Sequence, residues 1–241
     1  QRYINAIMSP TAEGILYEVD MRLRPSGNAG PIACTLEAFI QYHEENAWTW
    51  ERLALTRART VLGDDTLRHA VDSETRRLLA RPCDAEKLLN DVAEMRARMD
   101  SEHHTESPWS IKHLRGGLID LEFIIQYLLL RHAAKHPSIL SPNTWRALRN
   151  LKHAGLIAED AAEVLSRALD LWQAFQSRLH LTIDTDAPRG GAGAMPIALQ
   201  ERLAQLGGAD SLEGVEAIIR ATAEEVFGVY MDIIGDPETS G

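Results

Sequence analysis

The stretch Gly14-Ile15-Leu16-Tyr17-Glu18-Val19-Asp20-Met21-Arg22-Leu23-Arg24-Pro25-Ser26-Gly27 decides how the front of this chain is read. Taken with period two, Ile15, Tyr17, Val19, Met21 and Leu23 fall on one side of an extended segment, and Glu18, Asp20, Arg22 and Arg24 on the other. That pattern predicts a half-buried strand with an apolar back and a charged front, ended by a turn at Pro25-Ser26-Gly27. A carboxylate ligates a hard cation and a guanidinium pairs bidentately with phosphate oxygens, so their alternation suits a site for a metal ion and a polyphosphate. It equally suits a solvated surface on which acid and base neutralise each other. The pattern alone leaves both readings open.

Outside this stretch the composition is that of an ordinary globular chain: 241 residues, 45% hydrophobic and 25% charged, enough for one large domain or two modest ones. Acidic side chains outnumber basic ones by 35 to 25, and the formal charge of -10 disfavours long tracts of nucleic acid, whose affinity rests on a dense basic surface. Two cysteines, Cys34 and Cys83, are too few for a disulfide framework and fit a reducing cytoplasm. The richest apolar run, Leu118 to Leu130, is interrupted by Asp120, Glu122 and Gln126 and falls short of the roughly 20 residues that cross a bilayer. No membrane association and no signal peptide are expected. The chain begins at Gln1 and enters the charged stretch almost at once, so it reads as the back portion of something longer.

The rest of the chain reads as helices. Residues 1 to about 8 look like the end of one, Thr35 like the N-cap of another, and 47–58 like a third. After Gly63-Asp64-Asp65, helices are expected at about 65–80, 84–103, 117–135, 142–153, 159–184, 196–206 and 211–234, separated by Pro, Gly and Asn/Asp signals. The segment 184–194 reads as a loop. The fold class is therefore mainly α, with the nearly all-apolar helix 118–130 running through the middle of an antiparallel bundle.

Two stretches carry a family resemblance. Residues 14–63, through Ala47-Trp48-Thr49-Trp50-Glu51-Arg52 and Ala54-Leu55-Thr56-Arg57-Ala58-Arg59, resemble the glutamine synthetase adenylyltransferase family. Ile111-Lys112 followed by Gly116-Gly117-Leu118-Ile119-Asp120-Leu121-Glu122-Phe123-Ile124 is similar to that family's connection into its helical domain. The resemblance implies a nucleotidyltransferase αβ remnant over residues 1–63 and an adenylyltransferase/uridylyltransferase-associated helical bundle over 64–241. The wording of Leu23-Arg24-Pro25-Ser26-Gly27 and Trp48-Thr49-Trp50-Glu51 is closer to the carboxy-terminal, adenylylating half of these bifunctional enzymes.

The resemblance also implies a chemistry: transfer of an adenylyl group from ATP, with Mg²⁺, to a tyrosine hydroxyl of glutamine synthetase. The same resemblance implies a small nitrogen-signal regulatory protein as a partner and glutamine as an effector. Asp20 matches the third acid of the family's metal site and is the expected catalytic and metal-binding residue. Arg22 and Arg24 are the next candidates, for the phosphates. Lys112 ahead of Gly116-Gly117 is a further phosphate candidate, although a loop-to-helix turn explains the glycines as well. The chain departs from the pattern in two places. No Gly-Ser turn followed by Asp-x-Asp is present, since Asp184-Thr185-Asp186 ends a helix, so the other metal ligands are expected upstream of Gln1 and the fragment alone is expected to be inactive. Leu114-Arg115 also stands where the family usually has Gly-Pro.

Other constellations read as structural. His132 and His136 at i, i+4 lack an intervening acid and a third ligand and suit a helix C-terminus. Asp120 and Glu122 suit the first turn of a helix, and the five tryptophans suit packing. Two further functional readings stand beside the enzyme: a non-catalytic helical interaction module, and the related uridylyltransferase of the signal protein.

Overall fold

The computed structural model describes residues 2–12, 14, 19–21, 23–182 and 195–235. The chain divides into two compact units, Gln1–Leu79 and Ala80–Gly241.

In the first unit the helices are α1 (Arg2–Met8), α2 (Leu36–Glu45), α3 (Thr49–Leu55) and α4 (Asp65–Leu79). Thr35 caps α2 by accepting from Ala38 N at 3.2 Å, as its position in the sequence predicts. Asp64 does the same for α4 through Leu67 N at 3.0 Å. α4 packs against α2 and α3. The helix that the sequence reading placed at the head of the bundle therefore falls in the first compact unit.

The strand expected from Ile15 to Arg24 does not appear among the described residues. Residues 15–18 and Arg22 lie outside them, Val19, Asp20 and Met21 have no regular structure, and Gly14 takes part only in an isolated antiparallel bridge with Thr11. A strand needs a neighbouring ladder to take up its N–H and C=O groups, and alternation of side chains supplies none. The predicted turn does form. Gly27 N donates to Arg24 O at 2.8 Å, and Ser26 sits in the left-handed region at φ 61° ahead of a short 3-10 turn, Gly27–Ala29.

The second unit holds α5 (Ala85–His103), α6 (Leu118–His132), α7 (Thr144–His153), α8 (Glu159–Thr182), α9 (Ile197–Gly207) and α10 (Leu212–Ile233). Each start is within about two residues of its expected place, because side-chain caps mark several of them: Asp84 for α5, Asn143 for α7 and Ser211 for α10. α6 touches α5, α7, α8 and α10, and 11 of its 15 residues are buried. An apolar helix without a polar face is stable only in such a central place. Trp172 and Phe175 of α8 and Tyr230 of α10 complete the core. No described helix is long and apolar enough to cross a membrane.

Candidate functional site

Asp20 is exposed and belongs to the first unit. Arg22 lies outside the described residues. Arg24 is half-buried and bends back on its own loop: Nη1 donates to Met21 O at 2.5 Å, Nη2 to Gly30 O at 3.4 Å, and Nε is buried with no hydrogen-bond partner among the described residues. One guanidinium thus ties the carbonyl next to Asp20 to the far side of the Pro-Ser-Gly turn. The backbone there is close-packed, since a Cβ on Gly30 would come within 2.1 Å of Pro25 O.

Arg24 also lines a cleft of about 370 Å³ whose walls come from α2, α3, α4 and the segment between α3 and α4. Its lining combines apolar Leu23, Phe39, Ala54 and Val71 with polar or charged Arg57, Arg59, Glu51, His43 and Asp72. Glu51 is almost fully buried and accepts from Tyr42 Oη at 2.8 Å and from Trp48 N at 2.9 Å, which closes the start of α3. Burial, reinforced by that bond to Glu51, raises the Tyr42 hydroxyl above its ordinary pKa. Burial lowers the His43 imidazole, outweighing the attraction of Glu51. Asp72 accepts from Thr60 Oγ1 at 3.1 Å.

A Mg²⁺ site needs several oxygen ligands in a near-octahedral shell. Among the described residues no group of three His, Cys, Asp or Glu side chains is arranged to hold a metal ion. Asp20 supplies one carboxylate, so the described residues by themselves do not fit a two-metal centre. His132 and His136 likewise belong to no such group.

Lys112 lies in the second unit, with its side chain exposed. The two glycines after it face protein backbone: a Cβ on Gly116, where φ is +76°, would sit 1.8 Å from Ala223 O, and one on Gly117 2.1 Å from Ile111 O. Their smallness lets the 111–117 loop press against α10 and turn into α6.

The strongest electrostatic feature of the second unit involves Asp120, at the start of α6. Its carboxylate has no exposure; Oδ1 accepts from Arg96 Nε, Oδ2 accepts from Gly116 N, and Arg115 Nη1 stands 3.5 Å away. Arg96, itself 2% exposed, also reaches Asp100 Oδ1 and His113 O, each at 3.4 Å. The Arg115 guanidinium lies over the rings of Phe227 and Tyr230, 4.7 and 5.1 Å from their centroids. One carboxylate therefore joins α5, the 113–117 loop, α6 and, through Arg115, α10. Sequence reading gave Asp120 a helix-start role and missed this network, because Arg96 is 24 residues away and only folding brings it near.

The tryptophans divide. Trp109 and Trp172 are core residues, and Trp109 Nε1 donates to Glu216 Oε1 at 2.7 Å. Trp48 and Trp50 are exposed, contrary to the packing role expected of all five, because Trp48 occupies the N-cap position of α3 and its ring stays in solvent.

Comparison with known proteins bears on both compact units. Residues 1–74 match a family model described as glutamate-ammonia ligase adenylyltransferase, and residues 86–230 one described as GlnD PII-uridylyltransferase. Proteins described as bifunctional glutamine synthetase adenylyltransferase/adenylyl-removing enzyme align along nearly the whole chain: one from Rhodopseudomonas palustris (strain TIE-1) is 41% identical over 98% of it, one from Bradyrhizobium diazoefficiens 38% over 97%, and one from Xanthobacter autotrophicus 37% over 97%. The chain belongs to the glutamine synthetase adenylyltransferase family, and its helical unit to the type shared with PII-uridylyltransferases. It spans 23% of the length of each of these three relatives.

Proposed function

We propose that this chain works within a cytoplasmic enzyme that transfers an adenylyl group from ATP to a tyrosine hydroxyl of glutamine synthetase, and that it belongs to the adenylylating half. The observation that carries this reading is the continuous alignment, through both units, with relatives named for adenylylation and its removal. Residues 1–63 then represent the last part of a nucleotidyltransferase αβ domain and 64–241 the associated helical bundle.

In this reading Asp20 is the acid that faces metal and nucleophile, with Mg²⁺ and the remaining ligands belonging to the whole enzyme. Arg22 and Lys112 meet phosphate oxygens. Arg24 acts chiefly as a positioning residue: two of its nitrogens already serve the carbonyls of Met21 and Gly30, so it sets the turn that follows Asp20. The helical unit carries the responses to glutamine and to the nitrogen-signal protein. Phosphoryl-type transfer depends on alignment and charge neutralisation, which is why a single misplaced carboxylate is costly.

The test is Asp20→Ala in the whole enzyme, followed by label transfer from ATP to glutamine synthetase. The rate is expected to fall roughly 10²-fold or more; an undiminished rate overturns the assignment. The isolated chain is expected to show no turnover, and measurable turnover contradicts that.

The match of residues 86–230 to the uridylyltransferase model favours a second reading, in which the helical unit is an interaction module shared by both enzymes. Titrating ATP and Mg²⁺ while following partner affinity separates the two, because a pure module binds independently of both.

A further inference from the structure

From Glu122 to Glu159 the sequence contains no Asp or Glu between those two residues, although acids outnumber bases in the chain as a whole. The same interval holds Arg131, Lys135, Arg146, Arg149 and Lys152. It covers the end of α6, the 3-10 turn Pro137–Ile139 and all of α7. α7 packs on α6, and the Asn150 amide spans 3.4 Å to the carbonyls of both Ser138 and Ile139, which holds the two basic segments together.

α7 separates its faces cleanly. Ala147, Leu148 and Leu151 are buried, while Arg146, Arg149 and His153 are exposed and, at about 100° per residue, lie within an arc of roughly 60° on the solvent side. Arg131, Lys135 and His136 at the end of α6 are exposed as well. Two charges temper the region: Lys152 pairs with Glu159 at 2.6 Å, and Asp84 caps α5 near the end of α6, where Cys83 Sγ donates to Leu130 O at 3.4 Å. The His132 imidazole is held below its ordinary pKa, first by burial and then by Arg131, His136 and Lys135, as a positive local field requires.

Part of this charge serves the C-termini of α6 and α7, where cations meet the helix dipole. Arg146 is not explained in this way, since it sits in the first turn of α7, where a positive charge is unfavourable, and no acid is within ion-pair reach of Arg146 or Arg149 among the described residues.

We infer that the outward face of α7 with the end of α6 is a docking surface for an acidic protein segment. Charge complementarity gives the sign of the partner. The size of the surface gives its class: a 10-residue helix is about 15 Å long, which suits one helix or loop of a protein. A long polyanion extending past it would meet a chain of net charge -10.

The test uses the full chain and a fluorescein-labelled poly-glutamate peptide, followed by anisotropy at low ionic strength. Binding is expected, weakening as salt rises to about 0.15 M. The double variant Arg146→Glu/Arg149→Glu is expected to bind about tenfold more weakly. Arg202→Glu, on the exposed side of α9, is expected to bind within about twofold of the parent chain. Far-UV circular dichroism checks each fold, and Arg146→Gln/Arg149→Gln carries the test at about half the logarithmic effect should the double reversal unfold. The inference is overturned by absence of peptide binding, by a folded double variant that binds like the parent, or by tighter binding of an oligodeoxynucleotide of equal charge.

Discussion

The two units of this chain solve the same problem, burying helix faces, to very different degrees. In the second unit α6 is enclosed by four helices, and Leu121, Ile124, Leu165, Leu169, Trp172 and Phe175 are wholly inaccessible. In the first unit the buried apolar side chains among the described residues are Leu53, Leu55, Leu78 and Leu79, while Leu23, Trp48, Val61 and Leu62 remain mostly exposed. α2 has no buried residue at all. Since apolar burial is the main favourable term in folding, the described residues of the second unit are expected to form the more stable body.

The largest expected departure from this contrast comes from its electrostatic centre. Asp120→Ala leaves the Arg96 guanidinium buried with its main partner gone, and the expected loss in the second unit is about 3–5 kcal/mol by urea denaturation. A loss below about 1 kcal/mol breaks the account of the network. Next in size is the pair Leu121→Ala and Leu62→Ala. The first opens a cavity in the densest part of the molecule and is expected to cost about 2–5 kcal/mol, while the second, at a position 93% exposed, is expected to stay within about 0.5 kcal/mol. Equal effects would erase the contrast. Gly116→Ala should cost about 1–3 kcal/mol, because the new methyl meets Ala223 O and the residue must hold a positive φ.

The smallest effect is a pH dependence confined to the first unit. Partial burial keeps the folded pKa of His43 below its unfolded value of about 6.5, so the neutral ring is favoured by folding. That stabilisation is complete above about pH 6.5 and is lost as pH falls through the lower folded value. Protection of α2 amides is therefore expected to decrease between pH 7 and pH 5, and His43→Gln to flatten the slope; an identical slope in the variant contradicts it.

Much of the helical architecture was legible in the sequence because helix ends are local events. Thr35, Asp84, Asn143 and Ser211 cap where a single residue decides the matter, and the apolar run 118–130 announces a central helix without reference to anything distant. Features that depend on distant residues were not legible. The alternation from Ile15 to Arg24 describes a strand only if another strand lies beside it, and the Arg96–Asp120–Arg115 network joins residues whose proximity is a product of packing. Exposure of Trp48 and Trp50 went the same way, since a large apolar side chain reads as core until its position at a helix start is known. Of the candidate site residues, resemblance named Asp20, Arg22, Arg24 and Lys112 in the sequence. The bond from Arg24 to the Met21 carbonyl, which gives Arg24 a structural task, came only from the fold.

Native-state amide exchange on the intact chain tests the contrast between the units most directly. The amides of Ile124, Ile125 and Leu129 in α6 are expected to open with a free energy at least about 2 kcal/mol above those of Phe39 and Ile40 in α2. Equal protection of the two helices would contradict it.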